Sequence, residues 1–181
     1  EYPIAELARD VKIYSIWEGT NYIQSMDLVG RKWMMGKGSL FADWLADIEK
    51  FAADNANAPG LEREMEILDN AVKAYRDIQA TMGSYVANGQ VSMIPLYATR
   101  ILHATGDLTC TQNILEQALV AQKKIDELGT DHHDYAFYNG KVMAAKYFAR
   151  NILPNIFTVL EVIKEGDTSV LDIEEEALIT F

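Results

Sequence analysis

The sequence predicts an all-α fold. Apolar residues recur at three- and four-residue spacing along four long stretches, no stretch alternates with period two over a useful length, and short runs rich in Asn, Asp, Pro and Gly separate the stretches. Helical spacing buries one face of each stretch, so the expected architecture is an antiparallel four-helix bundle over about residues 39–164, preceded by shorter helices.

From Ile4, the apolar positions Leu7, Ala8 and Val11 lie on one helical face, with Arg9, Asp10 and Lys12 on the other, and this amphipathic helix should end near Tyr14. Trp17-Glu18-Gly19-Thr20-Asn21 breaks the pattern. Thr20 or Asn21 is placed to cap the next helix, with Gln24 three residues after Asn21, and that helix should run to about Trp33. Gly36 and Gly38, flanking Lys37, then form the best hinge and divide the chain into a leading segment, 1–37, and a bundle with a tail, 38–181.

Leu40, Phe41, Trp44, Leu45, Ile48 and Phe51 mark the first bundle helix, stopped by the turn from Asn55 to Gly60. Leu61, Met65, Leu68, Val72, Tyr75, Met82 and Val86 mark the second, with Gln79 as its polar interruption and Asn88-Gly89 as its end. Gly106-Asp107 is the one place where the third helix is open to a break. Ile94, Ile101, Leu108 and Leu115 keep a seven-residue phase through it, so one helix is expected from about Pro95 to Leu128. Gly129 ends it, and Asp131 is placed to cap a fourth stripe from Tyr135 to Ile163, which Pro154 should bend. The tail after Gly166 is expected to be irregular, with Val170, Leu171 and Ile173 available to dock on the bundle.

With 181 residues, 49% of them hydrophobic, the chain is long enough to bury a real core. No run of about 18 apolar residues occurs, so no membrane-spanning helix is expected within these residues; the first residues mix charged and apolar groups, so no signal peptide is expected in them, and a cytoplasmic setting is the default expectation. Cys110 is the only cysteine, so neither an internal disulfide nor a thiolate metal cluster is expected. A formal net charge of -11 opposes attraction to nucleic acid or anionic membranes. The chain opens with Glu1 inside a helical pattern, and we expect it to be an excised piece of a longer protein.

Residues 9–32 read RDVKIYSIWEGTNYIQSMDLVGRK. Arg9, Asp10, Ile13, Ile16, Glu18, Gly19, Thr20, Ile23 and Gln24 match the terminal signature of acyl-CoA dehydrogenases, which the segment resembles. The continuation from Asp27 to Lys32, and Ala149-Arg150-Asn151-Ile152-Leu153-Pro154 near the end, resemble the bacterial branch with an extra C-terminal helical domain, similar to 3-methylthiopropanoyl-CoA dehydrogenase-like enzymes. The resemblance implies an FAD-dependent enzyme of fatty acid metabolism that introduces an α,β double bond into an acyl-CoA thioester. By it, Glu18 is the general base and its N–H polarises the thioester carbonyl; Gly19 admits the substrate; Thr20 meets the FAD phosphate or adenylate region; and Tyr22 takes a cofactor-binding position where the family often has Gln or Gly. Ile16 and Trp17 would supply the apolar surroundings that raise a carboxyl pKa. It also implies electron transfer to an electron-transfer flavoprotein and a homodimer or homotetramer. The 181 residues alone should be inactive and should not retain FAD.

Two other readings share these residues: an acyl-CoA oxidase, with the same flavin chemistry but access for oxygen, and a non-catalytic helical module for oligomerisation or interaction. Elsewhere the residues read as structural. His132 and His133 are adjacent and would diverge by roughly 100° on a helix, so no metal site is expected. His103 reads as a partly buried structural residue, Cys110 as a small packed side chain, Trp33, Met34 and Met35 as packing at a helix end, and Glu62, Glu64 and Glu66 with Arg63 as a solvated first turn.

Overall fold

The computed structural model describes residues 3–16 and 20–179. Two short helices lead, α1 (Pro3–Asp10) and α2 (Ile13–Ile16), followed by α3 (Thr20–Gly30) and a 3₁₀ turn at Lys32–Gly38. Then come α4 (Ser39–Asp54), α5 (Glu62–Ala87), α6 (Met93–Leu128), α7 (Tyr135–Asn151) and α8 (Asn155–Glu165). There is no strand among the described residues, so the fold is all-α as predicted.

The long helix α6 is the spine. It packs against α3, α5, α7 and α8, while α5 also packs against α4, α7 and α8. Leu68, Val72, Tyr75 and Ile78 of α5, Ile101, Leu108 and Leu115 of α6, and Leu45 and Ile48 of α4 are all fully buried. Each such side chain contributes on the order of 2 kcal/mol relative to exposure, which makes the shared apolar face the main stabiliser. Leu28 and Val29 of α3 belong to the same core.

The four stripes are realised as five helices. Pro154 does not merely bend the last one: α7 ends at Asn151, and the N–H groups of Ile152 and Leu153 both turn back to the Phe148 carbonyl, at 2.9 and 3.1 Å. Pro154 has no N–H with which to continue the ladder, and α8 restarts at Asn155 with Leu153 fully buried beneath the break. Gly106, by contrast, lies inside an unbroken 36-residue helix. The long apolar phase decides the matter there, because one solvent-facing glycine weakens a helix by only about 1 kcal/mol.

Several boundaries shift. The first predicted helix is split into α1 and α2, and α3 already contains Thr20 and Asn21 as its first residues, so neither is its preceding cap. It stops at Gly30 rather than Trp33. Asp131 does not cap α7; Asp134 occupies that place. At the position of the expected hinge, Gly36, Lys37 and Gly38 have φ of 61°, 60° and 90°, three left-handed residues immediately before α4. Lys37 adopts this at a steric cost of roughly 1–2 kcal/mol. Packing across the turn anchors it, for Trp33 before it and Phe41 and Trp44 after it surround the buried ring of Tyr75, with Phe41 and Tyr75 stacked at 5.7 Å.

Some predicted core positions are outside it. Leu40 is 54% and Val86 46% exposed, and Met34 and Met35 are exposed although Trp33 packs. Val170, Leu171 and Ile173 do not dock and remain about half exposed, ahead of a 3₁₀ turn at Glu175–Leu178.

Candidate functional site

The sequence motif falls where α2 gives way to α3. Trp17, Glu18 and Gly19 lie outside the described residues, and so does the side chain of Ile16. What the structure does place is the frame around them. Thr20, half-buried, opens α3, and Tyr22 in its first turn is 53% exposed.

The start of α3 is held by its own downstream residues. Ser25 is fully buried, donates its hydroxyl to the Tyr22 carbonyl at 2.8 Å and meets the Thr99 hydroxyl of α6 at 3.5 Å. Leu28 and Val29 then seat the helix in the core. At its far end Arg31 grips Asp27 with two hydrogen bonds of 2.5 and 2.9 Å, and these hold the Asp27 carboxyl below its ordinary range. A helix fixed in this way presents its N-terminal N–H groups, and the partial positive charge they carry, at a defined place immediately after Glu18. A helix N-terminus of this kind favours an anion over a cation. On the other side, α1 has no buried residue, and its stripe of Ile4, Leu7 and Val11 is 69%, 57% and 53% exposed.

Away from the motif, four sequence readings are corrected. His132 and His133 sit in the turn before α7 rather than on a helix, so they do not diverge: their rings lie 4.2 Å apart, and His132 Nδ1 accepts the Asp134 N–H at 3.2 Å. With Asp134 they bring ligand atoms within 4.8 Å of one another, on a surface turn where His133 is 82% exposed. His103 is exposed instead of partly buried. Cys110 is exposed rather than packed. Glu64 is fully buried, not solvated, and accepts a hydrogen bond from Arg150 Nε. The signal for Glu64 was in the sequence, because it falls three residues after Leu61 and four before Leu68, on the buried face.

These features define an all-helical module, a bundle core preceded by short leading helices. The family profile described as "Acetyl-CoA dehydrogenase C-terminal like" matches residues 44–174, and the chain belongs to this acyl-CoA dehydrogenase C-terminal family. It is 44% identical over 177 residues to a butyryl-CoA dehydrogenase of Syntrophomonas wolfei, and 32% identical over 182 residues to the broad-specificity linear acyl-CoA dehydrogenase FadE5 of Mycobacterium tuberculosis. Similarity at 28% over 158 residues extends to a 3-methylmercaptopropionyl-CoA dehydrogenase of Ruegeria pomeroyi. The first two matches take in 98% of this chain but only 29% and 30% of those proteins, so the chain spans under a third of their length. Among the described residues no helix is long and apolar enough to cross a membrane.

Proposed function

We propose that this chain is the C-terminal portion of an FAD-dependent acyl-CoA dehydrogenase that introduces an α,β double bond into an acyl-CoA thioester, with Glu18 as general base. The observation that carries the reading is the run from Arg9 to Gln24, which sets Glu18 between α2 and α3 in a chain with acyl-CoA dehydrogenase relatives along nearly its whole length. Residues 1–37 end the catalytic helical domain on this reading, and residues 38–181 are an appended bundle; the left-handed turn at Gly36–Gly38 and the family match over 44–174 support that division.

In the reaction the Glu18 carboxylate takes the proton from the carbon next to the thioester carbonyl. Such a base needs close placement against the carbon that loses the proton. The Glu18 N–H donates to the carbonyl oxygen as enolate charge develops, and Gly19, without a side chain, lets the thioester approach. Thr20 and the first turn of α3 hold the FAD phosphate region, with Tyr22 alongside. Bound FAD supplies the acceptor for the hydride that leaves the neighbouring carbon. Electrons then pass to an electron-transfer flavoprotein, and the whole protein is a homodimer or homotetramer.

The test is Glu18→Gln in the whole protein. FAD and substrate binding should survive, while flavin reduction by substrate slows at least about a hundredfold, the low end of general base catalysis. An unchanged reduction rate would overturn the assignment. Hydrogen peroxide production by the wild-type protein separates an oxidase from a dehydrogenase.

A further inference from the structure

Between the end of α3 and the second half of α5 lies a slot of about 450 Å³ that the reaction chemistry does not use. Val29 and Met82 are its buried floor, Trp33 and Ile94 its half-buried walls, and Met34 and Val86, 67% and 46% exposed, its rim. Gln79 is the one polar side chain lining it.

Two glycines line this slot, Gly30 at the end of α3 and Gly83 on α5. Neither has the left-handed torsion that favours glycine, and a Cβ built at either meets nothing within 4 Å. With no side chain at either position, the slot stays open between the two helices. The apolar surface also continues beyond the slot. Tyr22 and Ile23, 53% and 66% exposed, precede Val29 and Gly30 by seven residues each, which is two turns along the same side of α3. A contiguous apolar surface of this kind marks an interaction site.

We propose that this slot is the seat of a helix from the remainder of the same polypeptide, the part that precedes Glu1 in the whole protein. The proposal rests on the reading of the chain as the C-terminal portion of a longer dehydrogenase. More than two thirds of the butyryl-CoA dehydrogenase relatives lies outside the matched region, so a large body is at hand to supply the ridge. A second copy fits less well: a two-fold pair sets the same concave slot against itself, and each copy carries a formal charge of -11. The docked helix would lock α3, and so the position of the residue preceding Thr20, against the body that binds flavin and substrate.

The experiment compares maleimide labelling of Val86→Cys in the 181-residue chain and in the whole protein, read on the peptide that contains position 86. Labelling at least tenfold slower in the whole protein is the expected result. Equal rates in the two proteins overturn the proposal, as does protection of the 181-residue chain that grows with its concentration, which identifies a second copy. A Cβ at position 83 meets nothing within 4 Å and the slot beyond it is open, so Gly83→Leu should leave the melting temperature of the 181-residue chain unchanged or raised and should restore fast labelling in the whole protein. Protection that persists with Gly83→Leu sinks the idea. The Glu18→Gln reduction rate is read separately, so a failed base assignment and an empty slot give different results.

Discussion

Arg150, in the last turn of α7, donates from Nε to Glu64 in the first turn of α5, and the Glu64 side chain is only 1% exposed. The pair joins two helix ends next to the break at Pro154, where the backbone ladder itself is interrupted. Arg150 reaches Glu64 Oε1, while Oε2 has no hydrogen-bond partner among the described residues, so Arg150 is the group that keeps this carboxylate tolerable inside the bundle.

Arg150→Ala should therefore cost more than an exposed ion pair would. Removing Arg150 leaves the buried Glu64 carboxylate charged and unpaired, a loss of roughly 3 kcal/mol on the usual scale for a broken buried pair, whereas the solvent-screened surface pair of Lys50 with Asp54 contributes far less. Urea denaturation of Arg150→Ala and Lys50→Ala measures the contrast. Equal midpoints would show that Glu64 finds water or another donor.

Tyr75 provides a second test, through pH. Its ring is fully buried, and burial pushes the phenol up from 10.0 to about 12, against the opposing hydrogen bond to Thr105 at 2.6 Å. Thr105 gives its own proton to the Ile101 carbonyl at 2.8 Å, so Tyr75 must be the donor to Thr105. A folded-state pKa above the unfolded one means that the neutral phenol stabilises the fold fully below about pH 10, and that this contribution is lost as pH rises through about 12. Spectrophotometric titration should show one tyrosine ionising last, together with loss of helical circular dichroism. Tyr75→Phe should remove that last step and lower stability by about 1 kcal/mol for the lost hydrogen bond. A titration in which every tyrosine ionises near pH 10 with the helices intact would contradict the buried donor.

Glycines give opposite expectations at two places. Gly106→Ala should stabilise by roughly 0.5–1 kcal/mol, because the site is inside α6 and the new methyl group meets nothing within 4 Å. Gly166→Ala should destabilise, since φ is 67° and the added Cβ would lie 2.5 Å from the Tyr85 hydroxyl, which donates to the Ile163 carbonyl at 2.6 Å. Melting temperatures moving up for the first and down for the second would bear this out; a common direction would not.

These residues also show what a sequence can and cannot display. The unbroken α6 was legible because Ile101, Leu108 and Leu115 hold one phase, and the end of α5 because Asn88-Gly89 follows its last apolar turn. The break at Pro154 looked like a bend because Ile152, Leu153 and Ile156 keep apolar character on both sides; where the freed N–H groups turn is decided by tertiary packing of Leu153. Glu64 looked solvated because three alternate glutamates near a helix start suit its dipole; its spacing from Leu61 and Leu68 put it on the buried face, but the partner that makes burial tolerable, Arg150, is 86 residues away and leaves no local trace. At the candidate site a helix beginning near Thr20 was legible, and the neighbours that fix it, Ser25 against Thr99, were not, since a contact across 74 residues leaves no periodic trace.

The last prediction concerns the cofactor. On the proposed reading the whole protein holds FAD, but the 181-residue chain offers it little: among the described residues, Thr20 and Tyr22 at the start of an 11-residue helix are the only ones assigned to it. One helix N-terminus contributes on the order of 1 kcal/mol toward an anion, and millimolar affinity alone requires about 4 kcal/mol. The flavin ring would have no enclosing wall either, since α1 beside the motif has no buried residue. The chain mixed with equimolar FAD should therefore elute from gel filtration without absorbance at the flavin wavelengths, while the whole protein carries it through. Thr20→Val in the whole protein should lower flavin content without altering the melting of the bundle, because Leu28 and Val29 still anchor α3. Stoichiometric flavin on the isolated chain would mean that a cofactor site is complete within these residues, and the assignment of Thr20 as one part of a larger site would have to be abandoned.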